Sequence, residues 1–174
     1  MLGMGAVGIV FAGAYGGQPA AIKVMGRVSR WEPAGSYRYE HRVYQQLEKL
    51  QGSCVPRVLG HGLIACYDQY FLALELLPGK SLARLPQPLE PAVQDGAVAA
   101  LQQVHALGVM HGDVRLENFV AVPLGTQGEH RWRVVVLDFD RAYLGAGVEA
   151  LREERAQLRR LLGLPCGVQR TGQP

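Results

Sequence analysis

The stretch Leu101-Gln-Gln-Val-His105-Ala-Leu-Gly108-Val-Met-His111-Gly-Asp113-Val-Arg115-Leu-Glu-Asn118 joins the end of an apolar helical pattern to a polar loop. Val93, Ala97, Leu101 and Val104 repeat at helical spacing, so a helix is expected over about residues 91–107. Gly108 and a short apolar turn follow it, which lets residues 111–118 face a cleft. A carboxylate at Asp113, a cation at Arg115 and an amide at Asn118 suit transfer of a phosphoryl group. The first can orient an acceptor hydroxyl, the second can offset charge on the moving group, and the third can ligate Mg²⁺. His105 and His111 are read as structural histidines.

Downstream, Arg133-Val-Val-Val-Leu137 is a strand leading into Asp138-Phe139-Asp140, with Asp138 falling 20 positions after Asn118. Hard divalent cations on phosphates take carboxylate oxygens, and Asp138 is the natural ligand. Asp140 reads either as a supporting acid or as a plain loop carboxylate. Upstream, Gly3-Met-Gly5-Ala-Val-Gly8-Ile-Val10 has the form GxGxxGxV, followed by a turn signal at Gly16–Pro19 and a returning strand over 20–25. Glycines allow a hairpin backbone to approach phosphates closely. Lys23, on the returning strand 15 positions after Gly8, can reach those phosphates but needs an acidic partner. Glu40 and Glu48 are the candidates, on a helix of about 15 residues capped by Ser36; Glu40 has the better apolar companions, sharing a face with Tyr44 and Leu47 flanked by Val43 and Leu50. Two or three strands are expected over 55–77. A last amphipathic helix is expected over about 147–162, with Val148, Leu151, Leu158 and Leu162 inward and a charged outer face, ended by Gly163 and Pro165.

The composition is that of a globular chain, 48% hydrophobic and 19% charged, and its net charge of +3 is scattered. No basic run interleaves with aromatics, so nucleic acid is not an expected partner. No apolar stretch approaches the roughly 18 residues that span a membrane, and no membrane partner is expected. Cys54, Cys66 and Cys166 lack metal-binding spacing. They read as buried thiols of a cytoplasmic protein.

In their order, these segments resemble the signature set of the protein-kinase-like superfamily. The similarity covers residues 1–145 or so, and its most specific part is His105 to Asn118. The resemblance implies an α+β, bilobal fold, with a small β-rich N-lobe carrying one long helix (1–77) and a reduced, mainly helical C-lobe (78–174). It implies ATP and Mg²⁺ as cofactors. Gly3, Gly5 and Gly8 would cradle phosphates, Lys23 would contact them, and Glu40 would hold Lys23. Val10 and Ala21 would cover the adenine ring, Leu74 would be the gatekeeper, and the hinge Glu75 to Leu77 would hydrogen-bond adenine. Asp113 would be the catalytic base aided by Arg115, and Asn118 and Asp138 would bind Mg²⁺.

Two departures set the branch. Gly112 stands where many protein kinases carry the Arg that senses a loop phosphate, and Asp140 replaces the last Gly of Asp-Phe-Gly. Both are similar to aminoglycoside and choline kinases and to compact atypical kinases, whereas Arg115 fits the protein-kinase side. Only 34 residues follow Asp140, with no Ala-Pro-Glu segment, so either a minimal kinase-like protein or a piece of a longer product is expected. The expected activity is a serine/threonine protein kinase. A small-molecule kinase and an ATP-binding pseudokinase are the alternatives, so the phosphate acceptor is a protein or a small molecule.

Overall fold

The computed structural model describes residues 3–4, 8–25, 35–125 and 131–165; Gly5, Val7 and Cys166 lie outside them. In chain order the elements are β1 (Gly3–Met4), β2 (Gly8–Tyr15), β3 (Gln18–Met25), α1 (Gly35–Gln46), β4 (Val58–Ile64), β5 (Gln69–Glu75), β6 (Lys80–Ser81), α2 (Pro91–Ala106), β7 (Val109–Met110), β8 (Phe119–Pro123), β9 (Trp132–Val136), β10 (Tyr143–Leu144) and α3 (Val148–Leu161). The class is α+β. An antiparallel sheet ordered β1-β2-β3-β5-β4 takes up the first half, and a smaller one, β6-β8-β9, sits in the second beside the pair β10-β7.

The β2–β3 hairpin closes on two residues only. Gly16 and Gly17 both hold positive φ, 56° and 78°, the twist that a tight hairpin requires and side-chain-bearing residues resist. The turn is therefore shorter than Gly16–Pro19; Gln18 and Pro19 already pair with Tyr15 and Ala14. The alternation of β3 puts Ala21, Lys23 and Met25 on one face, where Lys23 lies opposite Val10 and Leu72, and Ala21 opposite Leu74.

Helix α1 presents Glu40, Val43, Tyr44 and Leu47 to the interior, all buried. It is shorter than about 15 residues because a one-turn 3₁₀ helix, Glu48–Leu50, takes over its end. The side chain of Gln51 then ties that end to β4: its amide donates to Tyr44 C=O, and its oxygen accepts from Val58 N–H. The Ser36 side chain is outside the described residues.

Pro91 opens α2 at a position where a missing N–H costs nothing. Its apolar stripe lies so close on β9 that a Cβ at Gly96 would come within 2.8 Å of Val134 Cγ2. The segment before β4 docks on the same layer, with Val136 N–H donating to Cys54 C=O and Arg133 Nη1 to Gly52 C=O. One continuous core thus runs from Met25, Tyr44 and Leu72 to Leu101, Phe139 and Leu158.

Two expectations are corrected. Val148 is 78% exposed, because it is the first residue of α3 and precedes the turn that meets the core. Cys66, in the exposed turn between β4 and β5, is not a buried thiol, although Cys54 is. Among the described residues, no helix is long and apolar enough to cross a membrane.

Leu101 is fully buried between α2 and the layers beneath it. Leu101→Ala is expected to lower the unfolding free energy by about 3 kcal/mol, through lost transfer energy plus an unfilled cavity. Urea titration followed by far-UV circular dichroism measures it, with the folded-state spectrum unchanged.

Candidate functional site

Lys23 is the centre of the site. β3 carries it inward, where only 7% of the residue remains exposed. Its ammonium donates to both oxygens of Glu40, at 3.0 and 3.3 Å, and to Asp138 Oδ1 at 2.7 Å. Asp140 Oδ2 lies 3.8 Å away. Three carboxylates therefore face one ammonium. Burial alone would pull Lys23 down, yet Glu40, Asp138 and Asp140 outweigh it and hold the pKa above the ordinary 10.5. Burial is also the largest effect on Glu40, which Asp138 and Asp140 reinforce and Lys23 only partly offsets, so its carboxyl is pushed up to about 7. Excess negative charge contributes to both shifts, decisively at Lys23 and behind burial at Glu40.

Asp138 follows β9 with φ at 62°, a left-handed conformation that Asp tolerates better than most residues. Phe139 next to it is fully buried, edge-on to Tyr44 at 5.3 Å between centroids and tilted against His111 at 5.1 Å. This aromatic column joins α1 to the 111–118 loop. Helix α1 is tethered again by Gln46, which donates to Leu107 C=O, and by Tyr39, whose hydroxyl accepts from Leu144 N–H. The position of Glu40 is set by both halves of the chain.

In the loop, Asn118 Nδ2 donates to Asp113 C=O at 2.9 Å and to Asp113 Oδ2 at 3.2 Å. The amide oxygen of Asn118 is left for another partner, and Leu137 N–H donates to Asn118 C=O, bringing Asp138 beside it. His111 Nε2 meets Leu137 C=O, and its Nδ1 meets Asp113 N–H. A carbonyl can only accept and an amide can only donate, so the ring proton is on Nε2.

A residue that sequence reasoning missed holds this loop from behind. Glu154 of α3 is buried; its Oε2 accepts from His105 Nε2 at 2.6 Å and from His111 N–H at 2.9 Å, and its Oε1 from Gly112 N–H at 2.6 Å. Burial alone would raise the Glu154 carboxyl, but these donors more than reverse that and hold it below the ordinary 4.5. The signal was in the sequence. Glu154 lies three residues after Leu151 and four before Leu158, on the inward stripe rather than the charged face. Gly112 has its own reason to be glycine: its φ is 78°, and a Cβ there would come within 2.1 Å of Arg141 C=O. The chain after Asp138 crosses directly over the loop and is stitched to it by β10–β7 pairing and by Gly145 N–H to Gly108 C=O.

The other candidates are placed less uniformly. Val10 and Ala21 share the face of Lys23. Gly3 pairs with Val10, whereas Gly5 is outside the described residues. Gly8 is a paired residue of β2 whose Cβ would meet Val24 C=O at 2.5 Å, so close strand packing already demands glycine. Glu75 spends its N–H on Arg57 C=O and its carboxylate on the Arg57 side chain. Leu77, past the end of β5, packs with Leu137 on Val120, Val122 and Val135, an apolar ledge that runs from the proposed hinge toward Asp138. Sequence reasoning did not single out that ledge. Arg115 is turned outward: its side chain is 56% exposed and pairs with Glu117 at 3.5 Å. A groove of about 400 Å³ is lined by Leu77, Lys80, Leu85, Ala121 and Trp132, and Lys23 is not part of its lining.

The serine/threonine-protein kinase PkaB of Streptomyces coelicolor is 29% identical over 176 aligned positions, covering 95% of this chain and 40% of PkaB. The chain is distantly similar to a serine/threonine-protein kinase. The meiotic driver SPOK2 of Podospora anserina is 33% identical over 123 positions, 68% of this chain and 14% of the driver. The chain thus spans less than half the length of either relative. No family model matches it.

Glu154→Gln is expected to cost about 3 kcal/mol of stability, since two buried donors and the part-buried Gly112 N–H face an acceptor set that no longer fits them. A carboxyl held low when folded contributes stability above its ordinary value of 4.5 and loses it as pH falls through the folded value. The gap between wild type and variant therefore stays constant at neutral pH and narrows below about pH 4.5, as measured by thermal melts across pH.

Proposed function

We propose that this chain is an ATP- and Mg²⁺-dependent phosphotransferase, transferring to a serine or threonine hydroxyl of a protein. The observation that carries this reading is the meeting of Glu40 and Asp138 on Lys23, with the Asp113–Asn118 pair joined to the same strand end. The similarity to PkaB supports the choice of acceptor. On this reading residues 1–77 and 78–174 act as two lobes flanking a nucleotide.

The donor set fits a hard divalent cation: the Asn118 amide oxygen, and a second Asp138 oxygen on a side chain that is 37% exposed. When bound, Mg²⁺ supplies charge neutralisation for the phosphates. Asp138 and Asn118 would hold the metal, and Lys23, its stem kept in place by Glu40, would donate to the phosphates. The ledge of Val120, Val122, Val135, Leu77 and Leu137 offers an apolar surface to the base, and Val10 and Ala21 share the strand face of Lys23. Asp113, oriented by Asn118, accepts the proton of the attacking hydroxyl. Arg115, exposed beside Glu117, would meet the acceptor or its phosphate. Gly3, Gly5 and Gly8 close over the phosphates.

A small-molecule acceptor is the second reading. The short segment stitched across Gly112, and Asp140 in place of glycine, favour it. Asp113→Ala is expected to cut transfer by about 100-fold or more and to leave ATP affinity within a factor of about 3. Labelled ATP offered with peptides, choline and aminoglycosides identifies the acceptor. Transfer undiminished in Asp113→Ala would refute the base. ATP binding without transfer to any acceptor would make the chain a nucleotide-binding module.

A further inference from the structure

We propose that Asp140 makes nucleotide binding by this chain obligately dependent on a divalent cation, because it adds a third carboxylate to the one ammonium that must receive the phosphates. The inference rests on the nucleotide reading above.

The geometry is direct. Lys23 Nζ is 3.0 Å from Glu40, 2.7 Å from Asp138 and 3.8 Å from Asp140, whose side chain is only 7% exposed. Asp140 is not close enough to hydrogen-bond the ammonium, so it adds negative charge without completing the shell of Lys23. A second observation is an unpartnered polar group beside the cluster. The Tyr44 hydroxyl is fully buried and has no hydrogen-bond partner among the described residues. It lies within the field of Glu40, Asp138 and Asp140, on a ring packed edge-on to the Phe139 that separates the two aspartates. Both the charge and the hydrogen bonding of the cluster are left open for something to complete.

A triphosphate cannot complete it alone, since it brings more negative charge. A phosphate oxygen accepting from Lys23 at an ordinary length of about 2.8 Å lies within about 7 Å of Asp140 Oδ2 whatever its direction. At an effective dielectric of about 20, one extra charge at that range corresponds to roughly 100-fold in affinity. A divalent cation reverses the balance: it draws Asp138 away from Lys23 and offsets Asp140. With glycine at position 140 that penalty would be absent. Asp140 is thus a positioning charge, selecting the metal-bound nucleotide over the free one.

The test is ATP titration of the full chain by calorimetry, at fixed ionic strength, in excess Mg²⁺ and in chelator. Wild type is expected to lose at least about 100-fold in affinity on chelation, and Asp140→Asn less than about 10-fold, with the two proteins equal within about 3-fold in Mg²⁺. Asp140→Ser provides a second variant, and the wild-type pair of titrations stands without either. A chelation ratio in Asp140→Asn equal to that of wild type would overturn the inference, as would equal weakening of the variant with and without metal. Wild-type binding that survives chelation unchanged also overturns it while leaving the nucleotide reading intact. Failure of wild type to bind ATP even in Mg²⁺ removes both.

Discussion

A buried ammonium needs a reason to be charged, and Lys23 has one in the carboxylates that reach it from two other parts of the chain. Glu40 arrives on α1 and Asp138 at the end of β9, so a single side chain of β3 couples the large sheet, its helix and the second half of the molecule. Isolated charges are expelled from protein interiors, and buried ion pairs add little net stability against apolar packing. The arrangement is better understood as positional. Remove Lys23, and the buried Glu40 is left facing a half-exposed Asp138 of the same charge. The aromatic column of Tyr44, Phe139 and His111 then fixes the distance between the elements that carry them.

Glu154 plays the corresponding part for the loop 111–118. A loop of polar residues carries backbone N–H groups that secondary structure does not satisfy. One carboxylate takes those of His111 and Gly112 together, and His105 closes the set. Asp113 is thereby held by a rigid support while its own carboxylate stays available. Helix α3 links the far end of the described chain to the loop chemistry through that one side chain.

Much of this was legible from residues alone. Lys23, Glu40, Asp113, Asn118 and Asp138 are polar groups in segments whose periodicity is otherwise apolar, and the structure brings Lys23 onto Glu40 and Asp138 and pairs Asp113 with Asn118. The helix over 91–107 and the strand before Asp138 followed from spacing, and they appear as α2 and β9. What escaped was whatever depends on close approach between distant segments. Gly112 was noticed as a substitution, but only the crossing of Arg141 shows why a side chain is excluded there. Glu154 was hidden because the charge pattern of α3 outweighed its place on the inward stripe. Arg115 looked catalytic by spacing, yet a loop residue can rotate outward without disturbing its neighbours, and it does. Val148 failed for the opposite reason: a periodic position at a helix terminus has no layer to face.

Chemical capture of the lysine tests the central arrangement most directly. An ATP analogue bearing an acyl phosphate transfers its acyl group to a lysine amine near the bound phosphates, forming an amide and releasing the nucleotide. Peptide mapping by mass spectrometry then distinguishes Lys23 from Lys49 and Lys80, the other two lysines of the chain. Labelling at Lys23 that excess ATP and Mg²⁺ suppress is the predicted result. Labelling at Lys49 or Lys80 alone, or labelling of Lys23 indifferent to ATP, would contradict a phosphate-facing Lys23.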